Sequence, residues 1–444
     1  MNLKQTLSSS APTASESLDS GFWPATAQRS PGSDLVIGGV AMSTVVGTYG
    51  TPVYVIDEMD VRQRCREYTQ AFGHGGVAYT AKALLTRAVA RWIAEERLGL
   101  YASSAGELHV AQAAGFPADR IVLYGNAKTP QDLHAAYLGR VGTIVVESLS
   151  EIPRLAATAP PGQRLLLRVL TGMEMADGVD RRFGLRIDTG EAQDAVTRIV
   201  AQKGLHLVGL DCSVGHQITH VAAYEREVRA VTGFLATISA QHGLYLTELN
   251  IGGGQAVAYS GHDRSLVTAE FADRIRAVVR TEADDARVPE PHLTVSPGRA
   301  IVARAGVTLY HVISVNRDRH GRRLIAIDGG MSDCPTSALC GGQHTATLIG
   351  RTPHTPSVLS IVVGRHNDSD DIIIPTMHLP ADTRPGDLLA VAGTGAYHHS
   401  RAMNYQLVGR PPLVAVRDGH PHTLIRRETL DDLDTRDMDD EATR

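Results

Sequence analysis

One lysine of the chain stands where amine chemistry is expected. Lys82 lies in the segment AYTAKAL, directly after the β-rich run GVAYTA at 76–81. Burial at a strand end disfavours the charged form of an amine and lowers its pKa, which suits a lysine to Schiff-base chemistry. A lone lysine more often extends to solvent, so this interpretation depends on the residues around it.

Two glycine-containing loops follow predicted strands and provide that context. One is GGG at 252–254, and the other is PGR at 297–299. Glycine lets backbone N–H groups approach a phosphate, and arginine adds a charged donor fork. A lysine and a phosphate site in one fold indicate pyridoxal phosphate as the cofactor, and Tyr397 in TGAYHHS could add a hydroxyl.

The segments that would position these residues alternate between short β-rich runs and helical stretches. The eight runs are GVAYTA (76–81), LGLYA (98–102), IVLY (121–124), TIVVE (143–147), LLLRV (165–169), LHLVGLDC (205–212), LTELNI (246–251) and HLTV (292–295). Eight βα units in about 250 residues are typical of a (β/α)8 TIM barrel, and an open doubly wound sheet is the alternative. Polar or glycine residues follow seven of the runs, where a barrel has its active site.

After Arg299 the sequence changes to β-rich runs and turns with few helix signals. This change predicts an α/β protein with a second, mostly β domain of the sandwich or barrel kind. The segment TPVYVIDE at 51–58 could bridge the two domains. The predicted regions are a disordered leader (1–33), a strand that pairs with the β domain (34–50), the cofactor-binding barrel (51–298), the C-terminal β domain (299–430) and an acidic tail (431–444).

The composition limits the partners and the compartment. The 444 residues carry a net charge of −5, and the tail at 431–444 accounts for all of it with seven acids and two bases. The balanced remainder predicts no attraction to nucleic acid or to an anionic membrane. Four cysteines make no disulfide framework, no cysteine–histidine pattern has zinc spacing, and no apolar window could span a bilayer. We therefore expect a cytoplasmic protein without a bound metal.

A series of ordered motifs covers nearly the whole chain, from about residue 47 to 432. The motifs are GTPVYVIDE, YTAKAL, SSAGEL, VGLDCSVGHQI, LNIGGGQAVAY, SPGRAI, DGGMSD, GRHNDSDD and GAYHHS with NYQLVGRPP. With them the chain resembles the diaminopimelate decarboxylases and, more widely, the barrel-type (fold type III) pyridoxal-phosphate decarboxylases. The resemblance implies an amino-acid substrate, a homodimer with shared active sites, a covalent cofactor link at Lys82 and a position for Tyr397 beside the cofactor. The phosphate-binding residues that it implies are Gly253, Gly254, Gly298 and Arg299.

Three positions around the cofactor depart from the pattern of this family. Ser213 replaces a histidine that packs on the pyridine ring, and His216 replaces a serine that faces the phosphate. Ser296 replaces the glutamate of EPGR, which partners the ring nitrogen. We assign all three residues to cofactor binding. Because a serine cannot hold the ring proton as a carboxylate does, we expect the cofactor to be a weaker electron sink here.

The substrate side departs further. Asn367 and Asp368 replace the cysteine and the glutamate of HCESGD, and that cysteine manages proton delivery at the substrate α-carbon in the family. Thr336 and Cys340 replace the arginine and the tyrosine that hold the distal substrate carboxylate. Asparagine cannot deliver a proton at neutral pH, so another group must act as the acid. The catalytic residues implied are Lys82, Asn367, Asp368 and Tyr397, and the substrate-binding residues are Arg299, Thr336, Cys340 and Asp368.

Together these features favour a pyridoxal-phosphate-dependent amino-acid decarboxylase of the diaminopimelate-decarboxylase type that acts on another substrate, such as one of secondary metabolism. The reason is that Thr336 and Cys340 would widen and neutralise the distal pocket. A racemase, an epimerase or a C–C lyase with the same cofactor is one alternative, because Ser296 weakens the electron sink. A cofactor-binding relative with little catalysis is the other, since the acid of the family is absent.

Overall fold

The computed structural model describes residue 18 and the ranges 21–172, 183–335 and 343–438. Thr336 and Cys340, the two positions predicted to hold the substrate's distal end, lie outside these residues. The described chain forms a parallel barrel and a separate sheet of mixed direction. The predicted α/β architecture, a (β/α)8 barrel followed by a C-terminal β domain, is therefore confirmed.

The N-terminal segment differs from its prediction. Strands β1 (Gln28–Arg29), β2 (Leu35–Ile37) and β3 (Val40–Ala41) form a small sheet of their own, and helix α1 (Met42–Tyr49) follows. Phe22 and Trp23 are buried. The prediction of disorder is therefore wrong for 21–33, because these two aromatic rings supply apolar surface that anchors the segment.

The strand that joins the C-terminal sheet is β4 (Val53–Asp57), and not a strand within 34–50. The strands β2 and β3 use their backbone hydrogen bonds within the small sheet and only pack against the C-terminal domain. Helix α2 (Glu58–Phe72) follows β4 and leads into the barrel. The Asp57 side chain caps this helix by accepting hydrogen bonds from two backbone N–H groups. The segment 51–58 thus bridges the two domains.

Eight parallel strands build the barrel, each paired with its neighbours in chain order. They are β5 (Ala78–Thr80), β6 (Gly99–Ala102), β7 (Ile121–Leu123), β8 (Thr143–Val146), β9 (Gln163–Leu170), β11 (Leu205–Asp211), β12 (Glu248–Asn250) and β13 (His292–Thr294). A two-residue strand, β10 (Leu185–Arg186), pairs with the end of β9. A parallel bridge between Val77 and Val295 closes the ring.

Helices cover the barrel on the outside and connect its strands. They are α3 (Arg87–Glu95), α4 (Ala105–Ala113), α5 (Pro130–Leu138), α6 (Glu151–Thr158), α7 (Glu191–Val200), α8 (Val221–His242) and α9 (Thr268–Ala286), with the short α10 (Arg299–Val302) after β13. Helix α2 packs against α9 and completes the outer layer. All strands point the same way, so their carboxyl ends, and the loops that follow them, meet at one end of the barrel.

The C-terminal domain is a sheet centred on one long strand. Its strands are β14 (Gly306–Arg317), β15 (Arg323–Ile327), β16 (Ala346–Ile349), β17 (Ser357–Val363), β18 (Ile372–Pro380), β19 (Leu388–Ala392), β20 (Leu413–Arg417) and β21 (His420–Ile425). Strand β14 pairs with β4, β15 and β19. Because β4 continues into α2, the sheet and the barrel share a continuous piece of chain beside the active-site end.

The first residues of the acidic tail lie in a short helix. Helix α11 (Leu430–Asp434) starts at a capping box in which Thr429 and Asp432 exchange hydrogen bonds. No helix among the described residues is long and apolar enough to cross a membrane.

Candidate active site

Lys82 lies in the single turn that follows β5 and faces the interior of the barrel end. Its Nζ is 5.6 Å from the ring centroid of Tyr124. Burial lowers the pKa of Lys82, and the nearby charge of Arg168 lowers it further, while Glu107 and Glu147 act in the opposite direction. A larger fraction of this amine is therefore neutral, and nucleophilic, than for a lysine in water.

The glycines of the two predicted phosphate loops are required by close packing between loops. Gly254 has a φ of 90°, and a Cβ there would overlap the carbonyl oxygen of Gly215. A Cβ on Gly253 would overlap the carbonyl oxygen of Ser296, which joins the loop after β12 to the loop after β13. A Cβ on Gly298 would press against the turn that carries Lys82. The loops after β11, β12 and β13 and the turn after β5 therefore pack closely against one another, and side chains at these glycines would prevent that packing.

Arg299 and Tyr397 connect this region to the C-terminal domain. The guanidinium carbon of Arg299 is 4.8 Å from the ring centroid of Tyr397, and one of its nitrogens donates to the hydroxyl of Tyr259. Tyr397 has a φ of 63°, which is unusual for a residue with a side chain. Its backbone N–H donates to the carbonyl of Ala83 over 2.8 Å, next to Lys82. This contact holds the tyrosine over the lysine turn.

A cavity at the carboxyl end of the barrel strands collects these groups. Its wall is formed by Thr80, Lys82, Tyr101, Tyr124, Arg168, Ser213, Gly215, His216, Gly252, Gly253, Gly254, Gln255, Ser296, Gly298, Arg299, Ala300 and Tyr397. The nine residues predicted to contact the cofactor all lie on this wall. The structure therefore brings together, around one cavity, positions that span more than 300 residues of sequence.

Sequence reasoning missed a polar network beneath the cavity. Arg168 donates to Asp211 over 2.7 Å, and Asn250 and Tyr101 donate to the other carboxylate oxygen over 2.9 Å and 3.2 Å. Burial raises the pKa of Asp211 to about 6, although the charge of Arg168 opposes this shift. The signal that could have found them is position, since all four lie at or near the carboxyl ends of barrel strands, where side chains reach the active site.

The two positions that replace the family's cysteine and glutamate are not on the cavity wall. Asn367 and Asp368 follow β17 and are exposed. Asp368 accepts a hydrogen bond of 2.7 Å from the hydroxyl of Tyr405, which is itself exposed. Within a single chain, then, the structure separates the predicted proton-delivery loop from Lys82.

A second, outer cavity lies on the other side of Lys82, and Tyr397 lines it as well. Arg401 is exposed on its wall, with its guanidinium carbon 5.6 Å from the Tyr397 ring centroid. Arg410 on the same wall forms an ion pair with Glu428. Among the described residues, by contrast, no carboxylate forms an ion pair with Arg401, so this cation is available to an anionic ligand.

Comparison with known proteins agrees with this geometry. Residues 58–303 match the family described as the pyridoxal binding domain of pyridoxal-dependent decarboxylases. Diaminopimelate decarboxylase from Actinosynnema pretiosum subsp. auranticum is 44% identical over 99% of this chain and 100% of its own length. The enzyme of the same name from Mycobacterium tuberculosis is 41% identical over 93% of this chain and 96% of its own. A solved structure of diaminopimelate decarboxylase from M. jannaschii with L-lysine superimposes with a TM-score of 0.88 at 26% identity, over 94% and 99% of the two chains.

The chain belongs to the pyridoxal-dependent decarboxylases with a barrel of the fold type III kind. Within that class it belongs with the diaminopimelate-decarboxylase-like members. The predicted cofactor, pyridoxal 5′-phosphate, and the predicted enzyme class, an amino-acid decarboxylase and thus a carbon–carbon lyase, are confirmed.

The wall of the cavity fits this cofactor. The hydroxyl of Tyr124 and the amide of Gln255 are buried there without a hydrogen-bond partner among the described residues. Buried polar atoms without partners are costly, so this wall suits a ligand with many heteroatoms. Lys82 would link to the cofactor, and the backbone around Gly253, Gly254 and Gly298 would hold its phosphate with Arg299. When bound, pyridoxal phosphate supplies an electron sink for the substrate α-carbon.

Proposed function

We propose that this decarboxylase acts on an amino acid whose distal end lacks the second amino-acid group of meso-diaminopimelate. The observation that carries the proposal is the pair Thr336 and Cys340, which stand where the family has the arginine and tyrosine that hold the distal carboxylate. Neither side chain carries a positive charge that could pair with a carboxylate. A substrate with a neutral or apolar end loses less hydration free energy on entering such a pocket than a substrate with a charged end does.

The proposal assigns a role to each residue around the cofactor. Lys82 carries the cofactor, and Arg299 with the glycine loops fixes the phosphate. Ser296 and Ser213 contact the cofactor ring where the family has a carboxylate and an imidazole, and His216 contacts the phosphate. A neutral serine near the ring nitrogen makes the sink weaker, which slows the loss of carbon dioxide without preventing it.

We also propose that the enzyme is a homodimer and that Asn367 and Asp368 complete the active site of the partner subunit. Two observations support this. Both residues are exposed and away from the cavity that contains Lys82. Asp368 is bound to Tyr405, and Tyr405 is followed closely by Leu407, whose exposed fraction is 76%. Exposed apolar side chains that surround a polar loop are typical of a protein interface. The cytoplasmic location stays a prediction from the sequence.

The substrate proposal is tested by release of carbon dioxide from a panel of amino acids with the purified, cofactor-loaded enzyme. The panel includes meso-diaminopimelate, lysine, ornithine, and amino acids with neutral or aromatic ends. We expect kcat/KM for one neutral-ended substrate to exceed that for meso-diaminopimelate by at least about tenfold, which corresponds to about 1.4 kcal/mol. Turnover of meso-diaminopimelate alone would overturn the proposal. Exchange of solvent deuterium at the α-carbon without carbon dioxide release would instead favour the racemase hypothesis.

A second candidate substrate is meso-diaminopimelate itself, and Arg401 favours it. This arginine lines the outer cavity next to Lys82 without an ion-pair partner among the residues described, so it could hold a carboxylate in place of the missing clamp. The 44% identical relative bears the name diaminopimelate decarboxylase. If this candidate is correct, Arg401→Gln raises KM for meso-diaminopimelate and leaves kcat nearly unchanged.

The shared site is tested by mixing two impaired variants. Lys82→Ala and Asp368→Ala each lack one half of the site, so each homodimer should be nearly inactive. In a mixed dimer one site receives both intact halves, and we expect part of the wild-type activity to return after subunit exchange. Continued inactivity, with exchange demonstrated by differently tagged subunits, would rule out sharing through Asp368.

A further inference from the structure

Three buried residues next to the active site form a cluster that the decarboxylase chemistry does not use. Cys334, His344 and His398 each offer one metal-ligand atom, and these atoms lie within 4.8 Å of one another. All three side chains are buried, with exposed fractions of 0%, 3% and 0%. The ring centroids of the two histidines are 5.0 Å apart at an angle of 80°. The three positions are scattered in sequence, so no ligand spacing reveals them.

The tautomers of both histidines are fixed by carbonyl groups, which can only accept hydrogen bonds. His344 donates from Nδ1 to the carbonyl of Ala392 over 3.0 Å, and His398 donates from Nδ1 to the carbonyl of Ala396 over 2.9 Å. Burial lowers the pKa of His344 to about 4 and that of His398 to about 3, so both rings are neutral. The proton of each neutral ring is therefore on Nδ1, and Nε2 carries a lone pair.

Both lone pairs are without a partner. Neither Nε2 has a hydrogen bond among the described residues, although each histidine is fully buried. An imidazole whose Nδ1–H is held by a carbonyl, with Nε2 directed at other ligands, is the usual arrangement in metalloproteins. Two such imidazoles beside one thiol form a metal-ligand set rather than an apolar core.

We propose that Cys334, His344 and His398 bind one metal ion that prefers thiolate and imidazole ligands. Zn²⁺ and Cu⁺ share this preference. Binding replaces the proton of the Cys334 thiol, which passes to solvent, so the site gains one unit of positive charge with Zn²⁺ and none with Cu⁺. The positive charge of Arg299 is close enough to lower the pKa of both histidines. Cu⁺ is therefore favoured, because its binding adds no net charge beside this arginine. Zn²⁺ requires a further anionic or water ligand.

The position of the cluster suggests what the ion would stabilise. Cys334 and His344 flank the segment that contains Thr336 and Cys340, and His398 directly follows Tyr397. The ring of His344 also packs on Tyr259, at 4.9 Å between centroids, and Tyr259 accepts a hydrogen bond from Arg299. One ion would therefore join both ends of the substrate-side segment to the tyrosine and arginine that line the cofactor cavity.

The test uses the full-length, cofactor-loaded protein. After treatment with a chelator, separate samples are dialysed against Zn²⁺ alone and, without oxygen, against Cu⁺ alone, and retained metal is measured by mass spectrometry. We expect one equivalent per chain of at least one ion. X-ray absorption at the edge of the retained metal should show one sulfur and two imidazole nitrogens. This second measurement needs no variant, and it separates the site from adventitious binding by surface histidines, which supplies no sulfur.

A matched pair of variants provides the control. Cys334→Ser should weaken binding by at least about tenfold, because a hydroxyl is a poor ligand for these ions. Cys65→Ser makes the same change at an equally buried cysteine in α2 and should leave binding unaltered. The proposal fails if the wild type retains no more of either ion than Cys334→Ser does. It also fails if the retained metal has no sulfur ligand.

Discussion

The two sides of the active site are built differently. On the barrel side Gly254 and Gly298 are fixed by contacts between loops, and Lys82 lines the cavity beside them. On the side of the C-terminal domain Asn367 and Asp368 are exposed. The barrel side can hold a cofactor within one chain, whereas the other side is the one that we propose a partner subunit completes. Variants of the barrel side should therefore change cofactor binding, and variants of the other side should change turnover while the cofactor stays bound.

The largest effect is expected from Lys82→Ala. Removal of the amine removes the covalent link, so we expect the absorbance band of the lysine-bound cofactor to vanish and kcat to fall by at least about 10³-fold. Lys203→Ala alters an exposed lysine and should change neither quantity. A persistent band in Lys82→Ala would place the cofactor on another lysine and would remove the basis of the comparison.

Asn367→Cys should change turnover in the opposite direction and make it faster. A thiol can deliver a proton to the substrate α-carbon and an amide cannot, and a general acid contributes roughly 10²–10⁴-fold when well placed. Because this loop is not optimised for a thiol, we expect kcat to rise by about tenfold, with an unchanged cofactor band. Ser369→Cys puts a thiol two positions away on the same exposed loop and should leave kcat unaltered. Equal rates for both variants would argue against a role of position 367.

Gly254→Ala should weaken cofactor binding by about tenfold or more. The residue has a φ of 90° and no room for a Cβ beside Gly215, and such strain costs on the order of 1–3 kcal/mol. Gly190→Ala is the matched control, because Gly190 has a φ of 83° with open space around it. It should lower the free energy of unfolding but not the affinity for pyridoxal phosphate in a titration. Equal affinity in both variants would show that the loop contact is not needed.

The fold could be predicted from sequence because its signals are local. Runs such as LLLRV at 165–169 and LHLVGLDC at 205–212 coincide with β9 and β11, since β-branched and aliphatic residues between turns specify buried strands. The ends of the chain could not be predicted in the same way. Phe22 and Trp23 are ordered by packing on a sheet formed hundreds of residues later, and a local pattern holds no information about such a partner.

The cofactor side of the site was also predictable, because Lys82, Gly254 and Arg299 follow strands in recognisable motifs. The polar network around Asp211 was missed, because its members lie within separate, mostly apolar strands and only their positions near the strand ends single them out. The cluster of His344 and His398 was hidden for a related reason. Its geometry depends on how separate segments of the C-terminal domain fold together, and no spacing along the chain expresses that distance.

The smallest expected effect concerns the charges around Lys82 and tests whether both sides act on one amine. Glu107 raises the pKa of Lys82, so Glu107→Gln should lower this pKa further. Arg401 lowers it, so Arg401→Gln should raise it. The rate of cofactor attachment to the cofactor-free protein depends on the neutral amine. The midpoint of its pH profile should therefore move to lower pH in Glu107→Gln and to higher pH in Arg401→Gln.

Stopped-flow absorbance after mixing with pyridoxal phosphate measures both profiles. Opposite shifts would mean that the barrel, through Glu107, and the C-terminal domain, through Arg401, jointly set the protonation of Lys82. A shift only in Glu107→Gln would show that Arg401 does not affect the pKa of Lys82. The C-terminal side would then act on the substrate alone. Unchanged midpoints in both variants would show that burial by itself fixes the pKa of this lysine, and that neither charge contributes to its reactivity.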